Sequence, residues 1–232
     1  MKKAARSPYL SVSPQELLGR PLNEIEQKFA PSRLFLSDGR SVPIPGPRVA
    51  IVGSRKASPR GILLAQEIAA FLAEKSVIVV SGLAEGIDTT AHEIAIRHGG
   101  STVAVLGTPL DKSYPAKNGG LQKTIMRDHW AISQFPVGYP TEPKNFVIRN
   151  RTIALISDAS IIVEAGERSG SLHQGWEALR LGRPLFISKV ITTDASLKWP
   201  KKMMDYGASE LTEFEQIIEV LPSPERILQI IR

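Results

Sequence analysis

The sequence contains the stretch Arg48-Val-Ala-Ile-Val-Gly-Ser-Arg-Lys-Ala-Ser58, in which a run of apolar residues ends in a bend of small residues. Two further stretches repeat this pattern, Val77-Ile-Val-Val-Ser-Gly-Leu-Ala-Glu-Gly-Ile-Asp88 and Ile161-Ile-Val-Glu-Ala-Gly-Glu-Arg-Ser-Gly-Ser171. Each apolar run is typical of a strand buried on both faces, and a helical pattern follows each bend. The three stretches therefore predict a parallel sheet whose strands alternate with helices.

The alternation continues through most of the chain. Strands are predicted at 48–52, 77–81, 102–106, 131–134, 160–164 and 184–188. Helices are predicted at 60–74, 87–98, 119–128, 146–156, 171–181 and 197–206, and the tail carries two short helical patterns split by Pro222 and Pro224. Such alternation favours an α/β fold, a doubly wound and mostly parallel sheet with helices on both faces.

The residues before the first of these strands have a different pattern. Apolar residues at helical spacing predict a short amphipathic helix within 14–29, and 33–36 with the turn at 37–39 predicts a strand and hairpin. A proline-rich joint follows. We therefore expect an N-terminal extension of residues 1–47, packed on a main domain of residues 48–232.

Composition narrows the class of protein. A chain of 232 residues with 42% hydrophobic residues can bury a large core. The net charge of +6 favours a polyanionic partner, although an inert basic surface explains the charge equally well. The absence of cysteine excludes disulfides, thiolate metal sites and cysteine nucleophiles. No apolar run approaches the roughly 18 residues of a membrane span, so we expect a soluble cytoplasmic protein without a membrane partner.

The three bends are expected to meet at one edge of the sheet, because ligands of open α/β sheets bind outside the carboxyl ends of the strands. Glycine lets the backbone approach a ligand closely, and free amides at helix starts attract anions. Arg55, Lys56 and Arg168 add positive charge at the same edge. The bends therefore predict a pocket for phosphate groups.

Two known phosphate-binding fingerprints are missing. The Gly-x-Gly-x-x-Gly turn of dinucleotide-binding proteins follows none of the strands, and the sequence contains no P-loop motif. In the first bend, Arg55 can form a bidentate contact with a phosphate while the turn amides bind its other oxygens. Ser54 and Ser58 can equally serve as caps of the helix that starts near Pro59.

Acidic and imidazole groups near the bends are candidates for acid–base chemistry. Asp88 and His92 share a helix face, yet an orienting hydrogen bond near the helix start is the favoured interpretation. Glu164 is interpreted in the same way, as a group that orients a basic neighbour. His92 and His98 are not at the i,i+4 spacing of a zinc pair, so no metal site and no cofactor is expected.

Residues 144–151, Lys-Asn-Phe-Val-Ile-Arg-Asn-Arg, form the most basic stretch of the main domain. Basic groups beside an aromatic ring are typical of a surface that holds single-stranded nucleic acid. The alternative is equally well supported by the spacing: Phe146 belongs to the core and the arginines pair with Glu142 or Asp158. The nucleic-acid interpretation requires Arg55 and this stretch to share one groove.

The ordered set of motifs resembles the DNA-processing protein A (DprA/Smf) family over residues 30–222. The matching pieces are Val52-Gly-Ser-Arg55, Ser81-Gly-Leu-Ala-Glu-Gly-Ile-Asp88, Ala91-His92, Gly99-Gly-Ser-Thr-Val-Ala-Val-Leu-Gly107, Tyr114-Pro-Ala-Lys-Asn118, Leu121, Asn145-Phe-Val-Ile-Arg-Asn-Arg151, Val163-Glu-Ala165, Ser169-Gly-Ser-Leu172, Gly182-Arg183 and Tyr206-Gly-Ala208. Each piece alone is weak, whereas the ordered set is specific.

The resemblance implies an extended Rossmann-like domain that binds single-stranded DNA and has no catalytic residues. It also implies a homodimer and delivery of the DNA to a RecA-type recombinase in transformation or repair. The residues implied to contact DNA are Arg55, Lys56, Lys144, Phe146, Arg149 and Arg151. Those implied to shape the phosphate pocket are Gly53, Ser54, Ser81, Gly82, Gly86, Ser169, Gly170 and Ser171.

The sequence departs from the family pattern at several places. It is expected to lack the helical N-terminal and winged-helix C-terminal domains of many members. Gln134 stands where a glutamate is usual, and His173-Gln-Gly-Trp176 stands where a Thr-Ala pair is common. The alternative function is a nucleotide-binding or nucleoside-monophosphate-hydrolysing enzyme of a related fold, although the Pro-Gly-Gly-x-Gly-Thr turn of those hydrolases is absent.

Overall fold

The computed structural model describes residues 9–37 and 40–222. Within these residues, nine strands form one sheet in the order β1-β2-β6-β5-β4-β3-β7-β8-β9. The strands are β1 (Leu10–Val12), β2 (Leu34–Leu36), β3 (Arg48–Val52), β4 (Ile78–Ser81), β5 (Thr102–Leu106), β6 (Trp130–Ser133), β7 (Ala159–Ile162), β8 (Leu185–Ser188) and β9 (Ser209–Leu211).

The strands from β3 to β9 pair in parallel, whereas β1 and β2 pair antiparallel with each other and β2 pairs antiparallel with β6. The register places Val49 opposite Val79 on one side and opposite Ala159 on the other. Every residue of β3, β4, β5 and β7 is buried, as expected for strands covered on both faces.

Helices connect the strands and cover both faces of the sheet. In the described part of the chain they are α1 (Pro14–Leu18), α2 (Glu24–Gln27), α3 (Pro59–Glu74), α4 (Ile87–Arg97), α5 (Gly119–Asp128), α6 (Pro143–Ile156), α7 (Ser171–Arg180), α8 (Lys189–Thr192), α9 (Trp199–Asp205) and α10 (Glu215–Val220), with a 3-10 helix at Ala116–Asn118. None of these helices is long and apolar enough to cross a membrane.

Alternation along the strands divides the core between the two faces. Ala50 and Val52 of β3 point toward α1, α6, α7 and α9, whose apolar residues form one cluster. Val49 and Ile51 point to the other face, which α3, α4 and α10 cover, and α5 packs beside them over β5 and β6. The predicted doubly wound sheet with helices on both faces is therefore confirmed.

Most predicted elements are present with shifted ends. The helix predicted from residue 146 begins at Pro143, because proline at the first helical position needs no amide donor there. Strands predicted at 131–134 and 160–164 are shifted by one or two residues. The sequence analysis missed β1, β9 and α8, each of which has only three or four residues.

The N-terminal segment differs from its prediction in detail. The single helix expected within 14–29 is two short helices, each started by a capping box, with Ser13 before α1 and Asn23 before α2. The strand at 33–36 is present as β2, and it joins the sheet between β1 and β6. The turn expected at 37–39 and the second helical pattern of the tail fall wholly or partly outside the described residues, and the division at residue 47 stays a prediction.

The order of the strands reverses beside β3. The chain proceeds from β3 through β4 and β5 to β6 on one side, and then crosses to build β7, β8 and β9 on the other. The loops after β3 and β7 consequently diverge at neighbouring strand ends, and such a switch point is where open α/β sheets bind ligands.

Candidate functional site

A cavity of about 830 Å³ opens at this switch point. Its walls are the bend after β3, the loop before α7, the start of α7 and the first half of α6. The predicted site residues that line it are Gly53, Ser54, Arg55, Lys56, Phe146, Arg149, Ser169, Gly170 and Ser171. Arg55 therefore shares this groove with Phe146 and Arg149, which belong to the middle of the segment 144–151.

An aromatic and cationic platform lies at the cavity wall. The guanidinium carbon of Arg55 lies 5.6 Å from the centroid of the Phe146 ring. The ring of Tyr114, which is half exposed, lies 5.0 Å from the Phe146 ring at a tilt of 46°. Phe146 can take this position because Gly107 beneath it has no side chain; a Cβ there would stand 2.5 Å from the ring. The platform offers a ring face next to a positive charge.

Three cations of the cavity wall remain without a carboxylate partner. Among residues 9–37 and 40–222, no salt bridge involves Arg55, Lys56 or Arg168. All three side chains are exposed. A concave wall with several unneutralised cations attracts an anion.

The serines of the first bend and the glutamate of the third bend form hydrogen bonds that stabilise the fold. The Ser58 hydroxyl caps α3 by accepting from the Gly61 amide, and the Ser54 hydroxyl accepts from the Lys56 amide. The Glu164 carboxylate accepts from the amide and hydroxyl of Ser58. The expectation that Glu164 orients a basic neighbour is therefore wrong, since its partner is a helix cap.

The second bend supports the cavity from behind. The Ser81 hydroxyl is fully buried and donates to the carbonyl of Ile51 at 2.6 Å, so Ser81 does not line the cavity, contrary to the prediction that it shapes the phosphate pocket. The Gly82 amide donates to Asp88, and Gly82 lines a small adjoining cavity of about 60 Å³. Gly86, at φ +75°, packs against the carbonyl oxygens of Ser54 and Arg55.

Arg149 is a buried residue of the cavity wall. Its guanidinium donates to the carbonyl of Gly82 and, at 2.5 Å, to that of Val105, so it ties together the ends of β4 and β5. Burial lowers the pKa of Arg149 to about 10, and the nearby Asp88 opposes the change. The guanidinium lines the cavity, but one of its nitrogens already donates to two carbonyl oxygens.

Asp88 and His92 do not form an acid–base pair. The Asp88 carboxylate accepts from the amides of Gly82 and Ala84, and burial raises its pKa while Arg149 opposes this. The Nδ1 of His92 lies 2.6 Å from the Thr102 hydroxyl, which itself donates to a carbonyl, so the Nδ1–H is the donor. Burial lowers the pKa of His92 to about 3. The favoured interpretation, an orienting hydrogen bond near the helix start and not acid–base chemistry, is therefore correct.

Lys144 and Arg151 lie outside the cavity wall. Lys144 forms a salt bridge of 2.6 Å with Glu142, the carboxylate that the alternative assigned to the arginines. Arg151 pairs with Glu177 at 3.3 Å and lies over the ring of Phe29. Arg151 therefore belongs to a different part of the surface than predicted.

The start of α7 supplies small polar groups to the cavity. The hydroxyls of Ser169 and Ser171 lie 2.5 Å apart, and the Gly170 carbonyl accepts from the side-chain amide of Asn150. Asn150, Gln174 and Tyr114 also line the cavity, although the sequence analysis did not select them as site residues. The signals were present, since Tyr114 and Asn150 lie in matched motifs and Gln174 in a noted departure. The described residues contain no cluster of three metal-ligating groups.

The sequence of this chain is similar to a known protein family and to individual proteins. The family model described as DNA recombination-mediator protein A matches residues 15–222. DNA processing protein DprA of Streptococcus pneumoniae is 37% identical over 172 residues, which cover 74% of this chain and 61% of that protein. Protein Smf of Escherichia coli is 35% identical over 175 residues, 75% of this chain and 47% of that protein. The chain thus spans about half the length of these relatives.

Solved structures agree with this relationship. The X-ray structure of DprA from Streptococcus pneumoniae superimposes with a TM-score of 0.78 at 31% identity, covering 93% of this chain and 75% of that one. A Helicobacter pylori DNA processing protein A, described for its single-stranded DNA binding mode, has the same fold, with a TM-score of 0.75 at 23% identity and coverage of 92% and 95%. The DprA/Smf resemblance is confirmed, and this chain belongs to the DNA recombination-mediator protein A family.

Proposed function

We propose that this protein is a single-stranded DNA-binding protein of the DprA/Smf type. It holds phosphates and at least one base in the cavity at the switch point. The observation that carries the proposal is the Arg55 guanidinium over the Phe146 ring, at a wall where neither Lys56 nor Arg168 forms a salt bridge with any described residue. Aromatic rings stack bases of any sequence, and cations follow the sugar–phosphate backbone. Binding without sequence preference and without catalysis is expected.

The shape of the site favours a single strand. A base can stack on Phe146 or Tyr114 only when it is unpaired and turned out of a helix. The Helicobacter protein with the same fold is described as a single-stranded DNA binder, which supports the proposal. Lys144, exposed and two residues before Phe146, lies outside the cavity and can contact a strand that leaves it once its salt bridge with Glu142 opens.

Three finer parts of the proposal rest on the family alone. They are delivery of the strand to a RecA-type recombinase, assembly as a homodimer and a cytoplasmic location. Each follows from family membership, and each is tested separately from DNA binding, by co-purification, by sedimentation and by fractionation.

The central experiment compares single-stranded and double-stranded oligonucleotides over a range of salt concentrations. Affinity for an oligothymidine should exceed that for duplex of equal length and should fall steeply with salt, by about 0.7 log units per log unit of salt for each phosphate neutralised. Arg55→Ala should weaken binding about tenfold or more, because a charge-assisted contact contributes roughly 1.5–3 kcal/mol.

The matched control is Arg97→Ala. Arg97 is exposed and is the last residue of α4, a helix that begins beside the cavity and runs away from it. This variant should bind as the wild type does. Equal affinity of the wild type and Arg55→Ala at every salt concentration would remove the proposed site.

A small phosphorylated ligand is the second candidate, because the cavity volume lies within the range of small-molecule sites, roughly 300–1,000 Å³. Incubation with nucleoside monophosphates followed by chromatography tests the hydrolase form of this alternative. Release of free base by the wild type and not by Arg55→Ala would replace DNA binding with catalysis.

A further inference from the structure

A second cluster of cations surrounds an aromatic ring on the surface that α2, α6 and α7 share. The Phe29 ring lies within 4.4 Å of the guanidinium carbon of Arg180, 5.5 Å of that of Arg151 and 5.8 Å of the Lys28 ammonium. Glu177 lies among them and pairs with both arginines. We call these five residues the Phe29 cluster.

The Phe29 cluster is positively charged and open to solvent. One carboxylate, Glu177, faces three cations, so the cluster holds a net charge of about +2 when each group has its usual charge. Phe29 is 43% exposed, and the side chain of Arg151 is 44% exposed. The Phe29 ring is therefore too exposed to be a core residue.

More positive charge lies next to the cluster. The buried Glu26 of α2 accepts from both Arg20 and Arg183, so this carboxylate also serves two guanidinium groups. The side chain of Arg20 is 39% exposed. The two carboxylates, of Glu26 and Glu177, thus pair with four arginines. The excess of positive charge favours binding of a chain of phosphates.

The Phe29 cluster lies along the same two helices, α6 and α7, that contribute to the cavity wall. Asn150 lines the cavity and Arg151 is the next residue of α6. On α7, Gln174 lines the cavity, and Glu177 and Arg180 follow one and two turns later. At a rise of about 1.5 Å per residue, Arg180 lies about 9 Å further along the helix axis than Gln174. A strand leaving the cavity along α6 and α7 reaches the cluster within a few nucleotides.

We propose that the Phe29 cluster is a second contact site for the same DNA strand, binding phosphates outside the cavity. The inference rests on the proposed function and adds to it the path of the strand and a role for the N-terminal segment. The two sites differ in kind: the cavity has an accessible ring for a base, whereas the Phe29 ring is surrounded by cations that face phosphates. The cluster also fixes α2 against α6 and α7, so the experiment must separate binding from folding.

The test varies the length of the oligonucleotide. An oligothymidine of about six nucleotides, within the single-strand site sizes of roughly 4–16 nucleotides, fills the cavity, whereas one of about twenty also reaches the cluster. Lys28→Glu and the double variant Lys28→Ala/Arg151→Ala should weaken binding of the long oligonucleotide about tenfold and leave the short one unchanged. For the double variant, the salt slope with the long oligonucleotide should fall by about 1.4, since each phosphate contact contributes about 0.7.

The matched control is Lys75→Ala. The Lys75 ammonium lies 5.6 Å from the Phe71 ring, a lysine–phenylalanine pair of similar geometry on the opposite face of the sheet. This variant should bind both lengths as the wild type does. Lys28 is exposed at the end of α2, so Lys28→Glu keeps the test valid if Arg151→Ala fails to fold.

The outcomes separate the two proposals. If Arg55→Ala weakens both lengths while the Lys28 variants bind the long oligonucleotide normally, the cavity stands and the second site is overturned. Equal weakening of both lengths by the Lys28 variants also overturns it, because the cluster would then act through the cavity or the fold. If the wild type binds neither length, the proposed function itself fails.

Discussion

The guanidinium of Arg55 lies over the ring of Phe146, with 5.6 Å between its Cζ and the ring centroid. Arg55 follows β3, whereas Phe146 is on α6, which follows β6 at the far end of the parallel strands. The long loop between β6 and α6 returns the chain toward the switch point. The cation and the aromatic ring that we propose to bind a phosphate and to stack a base are thereby placed side by side.

The first prediction concerns the coupling of these two residues. In a double-mutant cycle with Arg55→Ala and Phe146→Leu, each single variant should weaken oligothymidine binding, and the double variant should weaken it by less than the sum. The coupling should be roughly 0.5–1 kcal/mol, because the ring holds the guanidinium in position. The measurement is fluorescence anisotropy at fixed salt. Strict additivity would mean that the two side chains act independently.

The second prediction concerns Gly86. A Cβ at this position would stand 2.8 Å from the Arg55 carbonyl oxygen and closer still to that of Ser54, and the residue has φ +75°. Gly86→Ala should therefore lower the free energy of unfolding by about 2 kcal/mol or more, through strain and displacement of the first bend. DNA affinity should also fall.

Gly99 provides the control for this prediction. It has φ +71°, but its Cβ would meet nothing within 4 Å. Gly99→Ala should cost only the backbone strain, about 1 kcal/mol, and leave DNA affinity unchanged. Urea denaturation and anisotropy measure the two effects, and identical results for both variants would contradict a role of Gly86 in positioning Arg55.

The parts of the fold that the sequence predicts correctly are those set by local pattern. Short apolar runs rich in β-branched residues, such as Ile78–Ser81, favour a strand buried on both faces, and proline and serine mark the start of α3. The three-residue strands β1 and β9 leave no such pattern. β1 and β9 form because neighbouring strands offer them hydrogen bonds, which is a tertiary cause.

In the candidate site, too, some residues are predicted from local sequence pattern, whereas others depend on tertiary contacts. Arg55 closely follows a predicted strand, so the sequence predicts that it lies at the ligand-binding edge of the sheet. Arg149 and Arg151 look alike in the sequence, yet α6 turns one into the interior and the other toward Phe29. Which of two neighbouring arginines is buried depends on the carbonyl oxygens of β4 and β5, and these lie far away in the chain.

The third prediction concerns that buried arginine. Arg149→Met should lower the free energy of unfolding by about 3 kcal/mol or more, because it leaves two carbonyl oxygens and the Asp88 carboxylate without their cation. Adding Asp88→Asn should restore part of the loss. Arg97→Met on the exposed end of α4 should change stability by less than about 0.5 kcal/mol. A loss as small as that of the control would show that Arg149 is dispensable to the fold.

The fourth prediction concerns pH. Burial lowers the pKa of His92 from the usual 6.5 of histidine to about 3 in the folded protein. Below pH 6.5 the unfolded chain takes up a proton that the folded protein refuses, so the stability contributed by neutral His92 is present above 6.5 and is lost as pH falls toward 3. The loss between pH 7 and pH 5 should be about 2 kcal/mol, at roughly 1.4 kcal/mol per pH unit.

The measurement is the difference in the free energy of unfolding between the wild type and His92→Gln at each pH. Taking this difference removes the contributions of Asp88, whose pKa burial raises, and of His129, whose pKa burial lowers. The advantage of the wild type should shrink as pH falls from 7 to 5. His98→Gln, at an exposed position after α4, is the control. A difference that stays constant over this range would mean that His92 takes up its proton in the folded protein, and the buried, neutral imidazole described above would be wrong.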